Sequence, residues 1–199
     1  MQALVARHQP YIHRQSIHQK SLETLPIMSI SIDSQLTLVP LSLNDATEIH
    51  ALIEANKNWL NHHLYWAQTI KRIEDTQYYL ADRVLSTQPK NQWFSIRTNG
   101  AIVGVFAIKT VTEQGLAELG YWIAETATGK GVVNRIIDKL KKSLFLELNV
   151  TSLLFHCAKD NIASQKVAIK AGATKQVLTD KVMELNGQQL QLIAFNGTL

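Results

Sequence analysis

The sequence predicts an α/β fold, a mixed and mostly antiparallel twisted sheet with helices on both faces, and three observations lead there. Residues 115–124 form an aromatic and β-branched run that suits a half-buried strand. This run passes Gly129 and Gly131 and enters a stretch whose apolar residues fall at Val133, Ile136, Ile137, Leu140 and Leu144. That spacing is one face of a helix, expected to end near Leu146. Finally, Asn99-Gly100 and Asn186-Gly187 each separate two β-rich runs, the strongest short-range hairpin signal.

The remaining elements follow in order. Residues 35–41 alternate as an opening strand, with Pro40 placing its end near a sheet edge. Asn44 or Asp45 is expected to cap a helix whose face is Ile49, Leu52 and Ile53. A short stretch with Trp59, His62, His63, Tyr65 and Trp66 comes next and reads first as aromatic packing. The neighbouring histidines point differently on a helix and make a poor metal pair, and no metal site is expected. Glu74-Asp75-Thr76 opens a helix with Tyr79, Leu80 and Val84 as its buried stripe and Gln88-Pro89 as its stop. Strands are expected at 92–96, 101–110, 115–124, 151–157, 177–184 and 189–195. Asp160-Asn161 begins a helix with Ala163, Val167 and Ala171 inward and Gly172 as its stop. Two hairpins therefore bracket a strand–helix–strand unit whose strands run parallel, so the sheet is mixed.

At 199 residues, the chain fits one domain with an appendage. Residues 1–27 are rich in Gln and His, lack periodicity and stop just before Met28-Ser29-Ile30, which reads like a start. They are expected to be a disordered or non-native extension, with His8, His13 and His18 solvated, and residues 28–199 the domain. No apolar run approaches the ~18 residues that span a bilayer, so no membrane association is expected. The pI of about 9.2 is spread out. Residues 1–27 carry a net +2 and the remaining 172 another +2, which lacks the focused basic footprint of a nucleic-acid binder. The lone Cys157 excludes an intrachain disulfide and is compatible with a reducing cytoplasm. It lies in an apolar run and reads as strand packing rather than as a nucleophile.

Between the strand and the helix, residues 128–134 read as an anion cradle. First-turn N–H groups have no internal partner, the helix dipole adds partial positive charge, and Lys130 adds a full one. A Gly-x-Gly turn alone is a moderate signal, because it is often structural.

Taken together, the motifs resemble the GNAT superfamily of N-acetyltransferases and, more narrowly, its ribosomal-protein N-terminal serine acetyltransferases. Thr128-Gly129-Lys130-Gly131-Val132-Val133 aligns with the superfamily's pyrophosphate loop, Gln/Arg-x-x-Gly-x-Gly/Ala. Residues 118–122, Glu-Leu-Gly-Tyr-Trp, match the subfamily's strand. Asp160 to Ser164, Lys170 to Ala173 and Asn56 to Leu60 with Trp66 match further subfamily motifs, so the likeness covers about residues 33–197. Thr128 stands where a longer Gln or Arg is usual, Val133 where Gly or Ala is commonest, and Ala173 where Phe is usual.

The resemblance implies the GNAT acyltransferase fold, acetyl-CoA as cosubstrate, and direct attack of an amine in a ternary complex. Backbone groups of Thr128, Gly129, Lys130, Gly131, Val132, Val133 and Asn134 would take the pyrophosphate. Tyr121, Trp122 and Ile123 would offer N–H groups to the thioester carbonyl. Glu118 is read as the base, ahead of a plain strand acid, with apolar neighbours expected to raise its pKa. Ser164 either serves the departing thiolate or makes first-turn hydrogen bonds. Asn161 bonds pantetheine amides, caps its helix, or does both. Trp59 and Trp66 are candidate acceptor-groove residues. The acceptor implied is a ribosomal protein's N-terminus, that of the stalk protein, with a cytoplasmic homodimer as the subfamily's form. A small-molecule amine, or a coenzyme-binding module without turnover, are the competing readings.

Overall fold

The computed structural model describes residues 28–87, 90–176, 181–185 and 188–199. The 1–27 extension with its histidines, the Gln88-Pro89 stop, the Asn186-Gly187 turn and the start of the strand expected from Val177 lie outside the described residues.

The chain opens with β1 (Ile30–Ser31) and β2 (Leu36–Pro40), then helices α1 (Ala46–Ala55), α2 (Lys57–Asn61) and α3 (Ile73–Val84). Three strands follow, β3 (Gln92–Thr98), β4 (Ala101–Val111) and β5 (Leu116–Ile123). Next come α4 (Val132–Leu140), α5 (Leu144–Glu147), β6 (Ser152–Ala158) and α6 (Ile162–Lys170). The chain closes with β7 (Thr174–Lys175), β8 (Lys181–Leu185) and β9 (Gln188–Thr198). The strands lie in the order β1-β2-β3-β4-β5-β6-β9-β7, with β8 also paired to β9. Among the described residues only the β5–β6 pair is parallel, as a helical crossover between the two requires.

Most elements have a local cause. At the β3–β4 turn Asn99 and Gly100 both take positive φ, 50° and 85°, the geometry for which Asn-Gly is chosen. Gly172 ends α6 with φ 93°. The Asp75 carboxylate accepts the N–H groups of Lys71 and Arg72, each at 2.9 Å, at the start of α3. The first helix is entered differently from the expectation. Ser42, not Asn44 or Asp45, caps a single 3-10 turn, accepting the Asn44 N–H while Asp45 accepts the Ser42 N–H at 3.0 Å. Asp45 is then free to take Arg97 of β3 at 2.8 Å, which ties the helical segment to the sheet.

Three packing expectations are corrected. The helix after Gly131 ends at Leu140 rather than near Leu146. Ser143 leaves helical geometry (φ −147°, ψ −102°) and its hydroxyl donates to the Lys139 carbonyl, so α5 restarts the apolar face separately. In α3 the stripe is Thr76, Tyr79, Leu80 and Arg83; Val84 keeps the spacing but is the last residue of the helix and is exposed. In α6 the inward residues are Ser164, Val167, Ala168 and Ala171, and Ala163 is exposed.

The core has two halves, one on each sheet face. Ala117, Leu119, Phe155, Cys157 and Phe106 pack beneath Val133, Ile136, Ile137 and Leu140 of α4 and Ala168 of α6. On the other face Val105 and Trp122 pack with Ile49, Ile53, Leu60, Tyr79 and Leu80 of α1–α3. Gly104 sets the closeness of β4 to β5, since a Cβ there would lie 2.2 Å from the Trp122 carbonyl oxygen. Replacing Ile136, fully buried, by Ala should cost about 3 kcal/mol of stability through the cavity left behind, measured as a shift in urea unfolding.

Candidate functional site

The site begins with a defect in the sheet. β5 and β6 pair only from Leu116↔Ser152 to Leu119↔Phe155. Beyond that point both strands continue, β5 still paired to β4 as far as Ile123 and β6 still paired to β9 as far as Ala158. Each strand is therefore held from outside while the two separate from each other. Backbone groups of Gly120–Ile123 and His156–Ala158 that point into this fork have no ladder partner across it. An extended amide chain can pair there as a strand would.

Past the end of β5, the chain turns through Glu125–Ala127 into α4. Gly129 and Gly131 take φ 73° and 69°, the left-handed region that favours glycine, and a Cβ on either would meet nothing within 4 Å. Among the described residues, the N–H groups of Gly129 to Asn134 have no hydrogen-bond acceptor; the first helical bond is Arg135 N–H to Gly131 C=O at 3.0 Å. A run of open N–H groups at a helix N-terminus, with exposed Lys130 beside it, fits a pyrophosphate. The Thr128 hydroxyl donates to Ala124 C=O at 3.3 Å and shapes the turn. The buried Asn134 side chain is spent on α6, donating to Val167 C=O at 3.2 Å, so only its backbone remains for a ligand.

Side chains gather on both faces of the fork, with different chemistry. On the α4–α6 face Tyr121 of β5, Cys157 of β6 and Ser164 of α6 form one cluster. The Ser164 hydroxyl lies 3.0 Å from the Tyr121 hydroxyl and 3.3 Å from Cys157 Sγ. Its backbone N–H donates to Asn161 Oδ1 at 3.0 Å, so Asn161 caps α6 and leaves the Ser164 side chain directed at the strands. Burial pushes the Tyr121 phenol and the Cys157 thiol up, so both keep their protons at neutral pH.

The opposite face is charged. Glu118 of β5 accepts Lys109 Nζ of β4 at 2.9 Å and faces His156 Nδ1 of β6 at 3.4 Å. The three side chains form a row across three strands at the apex of the fork. The Lys109 side chain crosses the face of Gly120 on its way to Glu118; a Cβ there would lie 2.7 Å from Lys109 Cε. The expectation of a raised Glu118 pKa is thereby corrected. Burial does push it up, but the charge and hydrogen bond of Lys109, followed by His156, outweigh this and hold the carboxyl below its ordinary range.

Above this face, Trp66 stacks on Tyr79 at 4.9 Å and meets Trp122 edge-on at 6.0 Å, and Trp122 Nε1 donates to the Tyr79 hydroxyl at 2.9 Å. Trp59 and Trp66 are both part-buried in this cluster, so their packing role is the one observed. Asn56 Oδ1 accepts the Glu125 N–H at 2.9 Å, which ties the α1–α2 junction to the β5 arm of the fork, while His63 Nδ1 lies 3.6 Å from Asp160 past the end of β6 with no hydrogen bond. Sequence reading missed Lys109, His156 and the Cys157–Ser164 contact. The period-2 alternation of two parallel strands held the signal for His156. Lys109 depended on a register shift between Ile108 and Thr110.

Residues 35–174 match the family described as acetyltransferase (GNAT) domain. The ribosomal-protein-serine acetyltransferase of Escherichia coli K12 is 26% identical over 146 residues, 72% of this chain and 82% of the relative. Among solved structures, the microcin C7 self-immunity acetyltransferase MccE in complex with acetyl-CoA and AMP superposes with a TM-score of 0.79 at 24% identity, covering 86% of this chain and 97% of its own. RimL, a ribosomal L7/L12 α-N-protein acetyltransferase, in a complex with CoA joined to a cysteine by a disulfide, superposes at 0.78 with 22% identity. It covers 86% of this chain and 98% of its own.

The lowered pKa of Glu118 has a stability consequence with a definite sign. A depressed carboxyl stabilises the fold above its unfolded pKa, and that contribution is lost as pH falls through its folded pKa. Replacing Lys109 by Met should flatten the acid-side fall in melting temperature between about pH 3 and 6, followed by circular dichroism.

Proposed function

The chain belongs to the acetyltransferase (GNAT) domain family and is an acetyl-CoA-dependent N-acetyltransferase, and from that premise we propose that its acceptor is the N-terminal α-amine of a ribosomal protein. The single observation that carries the acceptor is the 26% identity to the E. coli ribosomal-protein-serine acetyltransferase over 72% of the chain. A cytoplasmic homodimer belongs to the same reading, and light scattering at twice the chain mass tests the dimer.

Acetyl-CoA supplies an acyl carbon already activated as a thioester. The chain's residues meet the other needs. In this reading the open N–H groups of Gly129 to Asn134 hold the pyrophosphate, and the unpaired edges of the fork hold the pantetheine amides. N–H groups of Tyr121 to Ile123 that face the fork receive the charge that develops on the carbonyl oxygen. An α-amine has a reference pKa of about 7.7–8.0, so a large fraction enters neutral and only modest basicity is needed at Glu118 and its neighbours. On the far side Ser164, backed by the protonated Tyr121 hydroxyl, donates a hydrogen bond to the departing sulfur.

Incubation with acetyl-CoA and a panel of serine-starting ribosomal-protein peptides and small amines, followed by thiol release, tests the acceptor. Turnover on the peptides is expected; turnover on small amines alone would reject this acceptor and favour a small-molecule enzyme. Ser164→Ala should lower kcat about 10- to 100-fold with acetyl-CoA affinity unchanged. Gly129→Val should weaken acetyl-CoA binding in calorimetry while leaving the circular dichroism spectrum intact, since the left-handed φ of 73° strains the loop itself.

A further inference from the structure

We infer that His156 is the group that takes the proton from the attacking amine, and that Glu118 is a positioning residue acting through it. The inference rests on the acetyl-transfer reading above and deepens it.

Leu119↔Phe155 is the last parallel pair, so His156 is the first residue of β6 beyond the point where the strands part. It shares the acceptor face with Glu118, and its ring presents Nδ1 to Glu118 Oε1 at 3.4 Å. With Nδ1 turned to a carboxylate, the neutral ring carries its proton there and leaves Nε2 as a bare lone pair. Nε2 has no hydrogen-bond partner among the described residues. The His156 side chain is 14% exposed, enough to meet an incoming amine and too little to be a solvated surface ring. A nucleophile, a base and a third group that orients the base is the general arrangement for moving one proton in acyl transfer.

Glu118 alone is poorly suited to the task. The same oxygen that faces His156 also accepts Lys109 Nζ at 2.9 Å. That carboxylate is held in its charged form, and a strongly ionised acid is a reluctant acceptor for an amine's proton. An imidazole, with an ordinary pKa of about 6.5, lies far closer to an α-amine's 7.7–8.0 than any carboxylate does. Among the described residues, Glu118 on β5 faces His156 directly, with Lys109 on β4 behind it. Its β9 partner is Ala194, which is buried and apolar.

The step balances without a further reactant. The amine nitrogen bonds to the thioester carbonyl carbon, the C–S bond breaks with its electron pair going to sulfur, and the amine's surplus proton passes to His156 Nε2. The sulfur gains its proton from the Ser164 hydroxyl on the opposite face, the serine regains one from solvent, and His156 returns its own to solvent.

The test compares His156→Gln with Glu118→Gln in the full chain, using whichever amine of the panel turns over. His156→Gln should lower kcat about 100-fold with KM for acetyl-CoA unchanged, and the acid limb of the kcat/KM profile should vanish. Glu118→Gln should cost about tenfold in kcat with KM for acetyl-CoA unchanged, because the ring loses the carboxylate that orients it. A larger loss in Glu118→Gln than in His156→Gln, or an acid limb that survives in His156→Gln, overturns the assignment. A second readout needs neither turnover nor variants. Nitrogen-15 NMR of the wild-type chain above pH 8 should show the His156 ring protonated on Nδ1 and bare on Nε2, and a proton on Nε2 would overturn the inference even where the substitutions fail to fold.

Discussion

The structure depends on keeping two adjacent strands of one sheet apart. Backbone amides left unpaired in a protein interior are costly, and strands side by side close up to satisfy them. β5 and β6 do not, because each is pulled outward by a longer antiparallel partner. The separation is braced on both sides. Beneath it, Asn134 and Lys141 fasten α4 to the Val167 and Ala171 carbonyls of α6, at 3.2 and 2.8 Å. Above it, Asn56 holds the end of β5. Function enters as the way those open amides are satisfied.

The fork also sorts chemistry by face. Alternation along β5 sends Tyr121 to the α4–α6 side and Glu118 to the other, and β6 does the same with Cys157 and His156. The buried side keeps neutral hydroxyls and a thiol, whose protons stay bound because burial disfavours their anions. The half-open side holds the ion pair and the imidazole. Two environments of unlike polarity thus stand a strand's thickness apart, with no domain movement needed to bring them together.

Much of this was legible in the sequence, for reasons that differ by element. The α4 face was readable because Val133, Ile136, Ile137 and Leu140 repeat at helical spacing, and the Asn99-Gly100 turn because few dipeptides tolerate two positive φ values. The left-handed turn before α4 was readable from Gly129 and Gly131. What escaped was whatever depends on register. Glu118 looked apolar in its surroundings because its strand neighbours are, whereas its real partners come from β4 and β6. The break at Ser143 and the exposure of Val84 and Ala163 escaped because a window of apolar residues does not say where the sheet stops covering a helix.

The two-faced fork carries a consequence for the catalytic cycle as a whole. In the proposed reaction a proton is taken up on the acceptor side and another is given out on the coenzyme side. Each turnover thus leaves the two sides out of balance by one proton in opposite senses. A polypeptide strand with its amides engaged conducts no protons, so the imbalance relaxes only through bulk water. The enzyme is therefore reset by solvent on each face separately.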